Sequence, residues 1–241
     1  MRLFEALPEL ADLIPPETRQ IVSEAYAARA LRLQPGSWTP PPPDRGLLGY
    51  VITSGFILRR TALGCGRAAE LLGPADLLRP HDSPLADGLL PVRAGRQVLT
   101  PTRLAVLESG FQSVVGLYPQ LAEGLVARAI SRTRSAAALA AIGHMNRIHD
   151  RVVALFCHLA SLHGKVSADG IVLSIPLSHE QIADLIGCER PSVTTALGRL
   201  RELGLVTRRY DRAWLLAQDL ARAAAPPRAA VSRRSQPKPP A

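Results

Sequence analysis

Across residues 177–206 the apolar positions keep helical spacing twice, with one glycine between the two runs. Ile182, Ala183, Leu185 and Ile186 put apolar side chains on one face of a predicted two-turn helix. Ser178 and Gln181 stand three apart as a capping box: the hydroxyl accepts an orphan first-turn amide while the Gln side chain reaches back. Leu177 and Ile182 flank the box as a hydrophobic staple, and Gly187 falls where a left-handed C-cap residue must end the helix. Glu189, Arg190 and Pro191 open a second helix, because a proline in the first turn removes no hydrogen bond. There Val193, Ala196, Leu197 and Leu200 recur on the side that packs against the first helix. Arg190, Ser192, Thr194, Thr195, Gly198 and Arg199 are left on the outer face.

That outer face is short, polar and basic, which suits a helix lying in a major groove with small hydroxyls donating to phosphates. The helical pair alone fits equally well an ordinary αα-hairpin in a helical protein. After Gly204, residues 205–210 and 213–216 are two β-prone runs joined by Asp211 and Arg212. They predict a hairpin wing with Arg208, Arg209 and Arg212 at its tip. Helix, turn, helix and wing in that order point to double-stranded DNA as the partner.

In the N-terminal half, Leu3, Leu7, Leu10, Leu13 and Ile14 predict short helices, with a second apolar stretch opening at Pro15, Pro16 and Glu17. Short apolar runs follow at 31–33, 48–52, 56–58, 69–72, 97–99 and 103–107, separated by Gly, Pro or Asp turns. This spacing predicts a β-roll or jelly roll. Between the halves, residues 119–141 form one long helical stretch in which Leu121, Leu125, Ala129, Ile130, Ala136 and Leu139, continued by Ile142, approximate a seam. Arg128, Arg132 and Arg134 lie largely outside that seam, which serves either as a dimer contact or as a core helix of a monomer.

Composition narrows the classes. At 241 residues the chain accommodates two modest domains, and no apolar run approaches the ~18 residues of a membrane span. The first residues have acids and prolines in place of a signal-peptide core, so a cytoplasmic protein without membrane association is expected. Cys65, Cys157 and Cys188 are scattered and odd in number, which argues against a disulfide framework. The net charge of +9 is concentrated toward the C-terminus: residues 144–241 hold 14 Lys/Arg against 8 Asp/Glu. Because 27 of the 29 cations are arginine, this excess supports DNA binding without establishing it.

Residues 144–216 resemble the winged helix-turn-helix of the CRP/FNR family of bacterial transcription regulators. The matching residues are Leu177 to Ala183 in the first helix, the Ile186-Gly187-Cys188 turn, and Arg190, Ser192, Val193, Thr194, Thr195 and Leu197 in the second. Residues 51–57, VITSGFI, sit where that family has its V-x-S-G strand and turn. The resemblance implies an α+β protein. Residues 1–117 would form a cyclic-nucleotide-binding-like β-roll sensory domain, 118–143 a dimerisation helix, 144–220 the winged helix-turn-helix, and 221–241 a disordered basic Pro/Arg-rich tail.

The resemblance further implies that Arg190 reads guanine and Ser192 holds a phosphate, within a DNA-binding set of Ser178, His179, Arg190, Ser192, Thr194, Thr195, Arg199, Arg208 and Arg209. A homodimer on a two-fold symmetric operator is expected, with RNA polymerase as a further partner. Pro191 and Thr195 depart from the glutamate and arginine that many members carry there, so the operator differs from the family's best-known half-site. The family's phosphate-binding Gly-Glu pair is missing from residues 77–87, where Pro80 and Pro84 would remove amides. The effector domain is therefore expected to be degenerate toward cyclic AMP. Arg79, His81 and Asp82 stand as candidates for another, unidentified small-molecule anion, or as a solvated loop.

No catalytic, metal or cofactor site is expected. Cys157 and His158 are adjacent on a helix, so their side chains diverge. His144, His149, His158 and His163 are spaced by five or nine, wrong for one helix face. The rival expectation is a ligand- or protein-binding module whose helical hairpin docks a protein partner. A regulator without an effector, whose β-domain only dimerises, is a third.

Overall fold

The computed structural model describes residues 1–42, 46–64, 66–79 and 92–220. Short helices α1 (Leu3–Ala6), α2 (Pro8–Ala11) and α3 (Pro16–Ala25) open the chain. The strands β1 (Arg29–Leu33), β2 (Gly36–Ser37), β3 (Gly49–Ser54), β4 (Ile57–Leu63), β5 (Gly66–Leu72), β6 (Leu77–Leu78), β7 (Val92–Val98) and β8 (Thr102–Leu107) follow. They form two antiparallel sheets, ordered β1-β8-β3-β6 and β2-β7-β4-β5. Ile52, Ile57, Leu72 and Leu104 meet between them, which is why these runs read as apolar and β-branched. Helices α1 to α3 close one end over Phe111 and Leu121.

The expected strands are present, and several are longer than their apolar cores. Strand β7 begins at Val92 although the pattern marks only its end, because Arg93, Gly95 and Arg96 hide the alternation. Strand β4 likewise runs on through Arg59 and Arg60.

Helix α4 (Ser109–Leu117) leads into α5 (Gln120–Gly143), a long helix with two distinct faces. Leu121, Leu139 and Ile142 are buried against the chain's own β-roll and C-terminal half. Gly124 allows close approach there: a Cβ would stand 2.3 Å from Leu13 Cδ1. Arg128 and Arg132 share this inward face, contrary to the sequence expectation. Arg128 pairs with Glu9, and Arg132 pairs with Glu70 at 2.5 Å while donating to the Leu77 carbonyl at 2.8 Å. Val126 and Ile130 lie on the opposite side and are exposed (57% and 47%), with exposed Ala127 and Ala137 beside them. The single seam expected from the sequence divides: Leu121, Leu125, Leu139 and Ile142 turn inward, Ala129 and Ala136 line pockets between α5 and the β-roll, and Ile130 turns outward.

Helix α6 (Ile148–His163) starts the C-terminal half, followed by β9 (Lys165–Ser167), β10 (Gly170–Leu173), α7 (His179–Ile186), α8 (Arg190–Glu202), β11 (Val206–Arg208) and β12 (Trp214–Leu216). The wing is not an isolated hairpin. It joins a four-stranded sheet, β11-β12-β10-β9, whose outer hairpin the sequence pattern did not announce because its strands are only three and four residues long.

The two halves share a core. Leu58 of β4 is fully buried in the same cluster as Leu155, Phe156, Ile182 and Ile186, with Phe56, Leu71 and Leu99 packed alongside. A polar network crosses the same boundary. Arg60 donates from Nε to Asp184 Oδ2 and from Nη1 to Gln97 Oε1, both at 2.7 Å. Gln97 Oε1 also accepts from Gln181 Nε2 at 3.1 Å. Asp184 is only 7% exposed, so its charge depends on Arg60.

Candidate nucleic-acid interface

The expected capping box is complete. The Gln181 amide donates to Ser178 Oγ at 3.2 Å, and the Ser178 amide donates to Gln181 Oε1 at 2.8 Å. Leu177 and Ile182, the staple, are fully buried. Gly187 adopts φ +63°, ψ +51° in otherwise open space, so the left-handed backbone alone calls for glycine there. Helix α8 then begins at Arg190 with Pro191 in its first turn. Val193, Ala196, Leu197 and Leu200 are its buried residues, which fixes the opposite side as the presented face.

Ser178, His179, Arg190, Thr194 and Arg208 come together around one cleft of about 720 Å³. It lies between the N-terminus of α7, the wing-side strip of α8 and strands β11 and β12. Glu180, Gly198, Trp214 and Arg201 also line it, over an apolar floor of Leu177, Leu197 and Val206. Arg201 was missed from sequence although it stands three helical turns after Arg190 on the same strip, a spacing that could have found it. Ser192, Thr195 and Arg199 do not line the cleft. Ser192 and Arg199 lie on the flank of α8 turned away from the wing.

The hydroxyls are less free than expected. Thr194 Oγ1 donates to the Arg190 carbonyl at 3.1 Å, and Thr195 Oγ1 donates to the Pro191 carbonyl at 3.2 Å. Each hydroxyl thus has a partner within its own helix, one turn back.

The wing arginines divide three ways. Arg208 is not at the tip but at the cleft wall, its guanidinium 4.3 Å over the Trp214 ring and its Nη1 donating to the Leu177 carbonyl at 2.5 Å. Arg209 faces Asp211 at 3.5 Å. The tip belongs to Tyr210, 94% exposed, and to Arg212, whose φ of +65° turns the chain. His179 touches Thr194 Oγ1 through Nδ1 at 2.9 Å. Burial first, then Arg190 and Arg208, hold its pKa below the usual histidine value.

Of the candidate effector residues, Arg79 lines a second pocket of about 480 Å³, between the strands and α5. Glu70 crosses that pocket's wall, bound to Arg59 at 2.6 Å and to Arg132 at 2.5 Å. Burial also raises the pKa of Asp76 there, against the opposing pull of the Gly73 amide and Arg132. His81, Asp82 and residues 221–241 lie outside the described residues. Among the described residues no three His, Cys, Asp or Glu side chains cluster as metal ligands, and no helix is long and apolar enough to cross a membrane.

Residues 150–233 match the Crp-like helix-turn-helix domain. No curated protein sequence matches the chain. Among solved structures, a CooA variant from Carboxydothermus hydrogenoformans superposes with a TM-score of 0.61 at 19% identity, covering 82% of this chain and 88% of its own. FixK2 from Bradyrhizobium japonicum gives 0.62 at 17% identity over 84% of this chain and 100% of its own. A CRP/FNR-family transcriptional regulator from Thermus thermophilus gives 0.53 at 19%, covering 81% and 98%. Residues 150–233 are thus similar to the Crp-like helix-turn-helix domain, and the chain as a whole is similar in fold to these structures, a CRP/FNR-family transcriptional regulator among them.

Proposed function

We propose that this CRP/FNR-type regulator binds a two-fold symmetric DNA site as a homodimer, reading bases with the N-terminal half of α8 and gripping phosphates around the cleft. The observation that carries this is the cleft itself: three arginines from two elements, Arg190, Arg201 and Arg208, surround the N-terminus of α7 and share the lining with one carboxylate, Glu180. Such a cationic concavity beside a presented helix matches the charge and shape of a duplex backbone. Ser178 and His179 lie where backbone phosphates approach that helix N-terminus. Ser192, Thr195 and Arg199 extend the contact along the far flank of α8, and Arg209 and Arg212 extend it from the wing.

The dimer rests on the outward face of α5, where Val126 and Ile130 are exposed among alanines small enough for close helix contact. One recognition helix covers too few base pairs for tight binding, and two related by symmetry span half-sites about 34 Å apart. The effector domain is degenerate toward cyclic nucleotides in this account, consistent with Arg59, Glu70 and Arg132 already pairing across the pocket that Arg79 lines. An unidentified small-molecule anion and RNA polymerase are the further partners this function calls for.

Ile130→Asp tests the dimer without touching the core. Sedimentation velocity is expected to find the parent at twice the chain mass and the variant at the chain mass. Binding of the variant to duplex DNA should weaken roughly tenfold or more through lost avidity. A monomeric parent, or a dimeric variant with unchanged DNA binding, would remove the dimer from the account.

A further inference from the structure

We propose that His179 holds a DNA phosphate only in its protonated form, so that each chain takes up a proton on binding DNA and the grip tightens as pH falls. This deepens the DNA-binding function proposed above and rests on it.

The tautomer is part of the proposal: Thr194 has a single hydroxyl hydrogen, which we place on the intrahelical bond to the Arg190 carbonyl at 3.1 Å. At 2.9 Å from His179 Nδ1, the same oxygen can only accept. Nδ1 therefore carries the hydrogen in the neutral ring, and the lone pair is on Nε2, which has no protein partner among the described residues. A neutral Nε2 turns that lone pair toward any phosphate oxygen that enters, and the contact is repulsive. A proton taken from solvent onto Nε2 converts the ring to a cation with a second donor.

The surroundings set the coupling. From α7, the cleft receives Ser178, the first-turn amides and Glu180; from α8, Arg190 and Arg201; from β11, Arg208, with Arg212 behind it; from β12, the uncharged Trp214. Cations outnumber carboxylates, and His179 is the first residue of a helix whose N-terminal amides add positive potential. The free protein consequently disfavours the protonated ring, as the downward shift caused by burial, Arg190 and Arg208 reflects. A phosphate seated in the cleft reverses the sign of the local field and draws the proton in.

The experiment measures the affinity of the full chain for a random-sequence duplex about three helical turns long, at fixed ionic strength, between about pH 6 and 8. A random duplex suffices because phosphate contacts do not depend on sequence. The parent is expected to bind more tightly as pH falls, by up to about tenfold per pH unit for each chain engaged. His179→Gln should show a much flatter profile at or below the parent's high-pH affinity, and His179→Arg an equally flat one near its low-pH affinity. A parent profile without slope, or a His179→Gln variant with the parent's slope, would overturn the proposal. Absence of duplex binding at every pH would instead overturn DNA binding itself.

Acid loosening of the fold acts in the opposite direction. Burial lowers the pKa of His158, and burial and then His158 lower that of His163. For a base depressed on folding, the penalty is absent above the unfolded value near 6.5 and grows as pH falls below it. Circular dichroism at each pH separates that loss from the gain in binding.

Discussion

Trp214→Ala is expected to lower the free energy of unfolding by about 3–5 kcal/mol, the range for removing a buried large aromatic. Trp214 is 3% exposed and packs against Phe156 with ring centroids 5.1 Å apart. It also stands at the junction of the C-terminal sheet, paired with Leu173 of β10 on one side and Arg208 of β11 on the other. Its loss would leave a cavity against α6 that the two short flanking strands cannot fill by collapse. Trp214→Phe should cost much less. The indole Nε1 is buried with no hydrogen-bond partner, so phenylalanine removes an unsatisfied donor along with some volume. Denaturant unfolding followed by circular dichroism checks both variants. An alanine variant within about 1 kcal/mol of the parent would mean that this sheet is not part of the cooperative core. The functional consequence follows from the same contact: without the ring beneath it, Arg208 loses its stacking platform and the cleft loses its fixed wall.

Arg190→Ala is expected to weaken binding to the cognate site by about 1–3 kcal/mol, roughly five- to 150-fold, through loss of a bidentate guanine contact. That contact is what the resemblance to the CRP/FNR family implies, and the geometry is compatible with it. Arg190 is exposed at the first residue of α8, lines the cleft, and forms no salt bridge among the described residues, so its guanidinium is uncommitted in the free protein. The loss should be much smaller on random duplex, because a base contact contributes to the difference between sites whereas a phosphate contact contributes to all of them. Competition of cognate against random duplex measures that difference directly. Equal losses on both would reassign Arg190 to the phosphate backbone.

Much of this site was legible from the sequence because its signals are local. A Ser and a Gln three apart, a glycine where the helix must reverse, and four apolar positions on one strip each depend on neighbours within a turn or two. All appear as expected. What the sequence did not reveal depends on partners far along the chain. Arg128 and Arg132 look like solvated charges on a helix, yet Glu9 and Glu70, 119 and 62 residues away, draw them inward. Arg60 and Asp184 look ordinary in their own segments and become a buried pair only because the β-roll packs against α7. Arg208 was placed at the wing tip by position in the hairpin, but stacking on Trp214 folds it back to the base. The outer hairpin β9–β10 escaped notice because three- and four-residue strands carry too little alternation to be seen.

Gln181 ties these levels together. One end of its side chain caps α7 beside the proposed phosphate contacts, and the other accompanies Arg60 on Gln97 of the β-roll. The local signal found the cap, and only the tertiary structure revealed its anchor.

Two copies of this chain are proposed to read a symmetric DNA site, and binding-site selection from a pool of random duplexes, with the enriched sequences determined, tests this. A two-fold symmetric motif is expected, with half-site centres about 34 Å, roughly ten base pairs, apart. Each half should hold a guanine whose enrichment disappears with Arg190→Ala. A pool with no enriched sequence, or one unrepeated half-site, would contradict it.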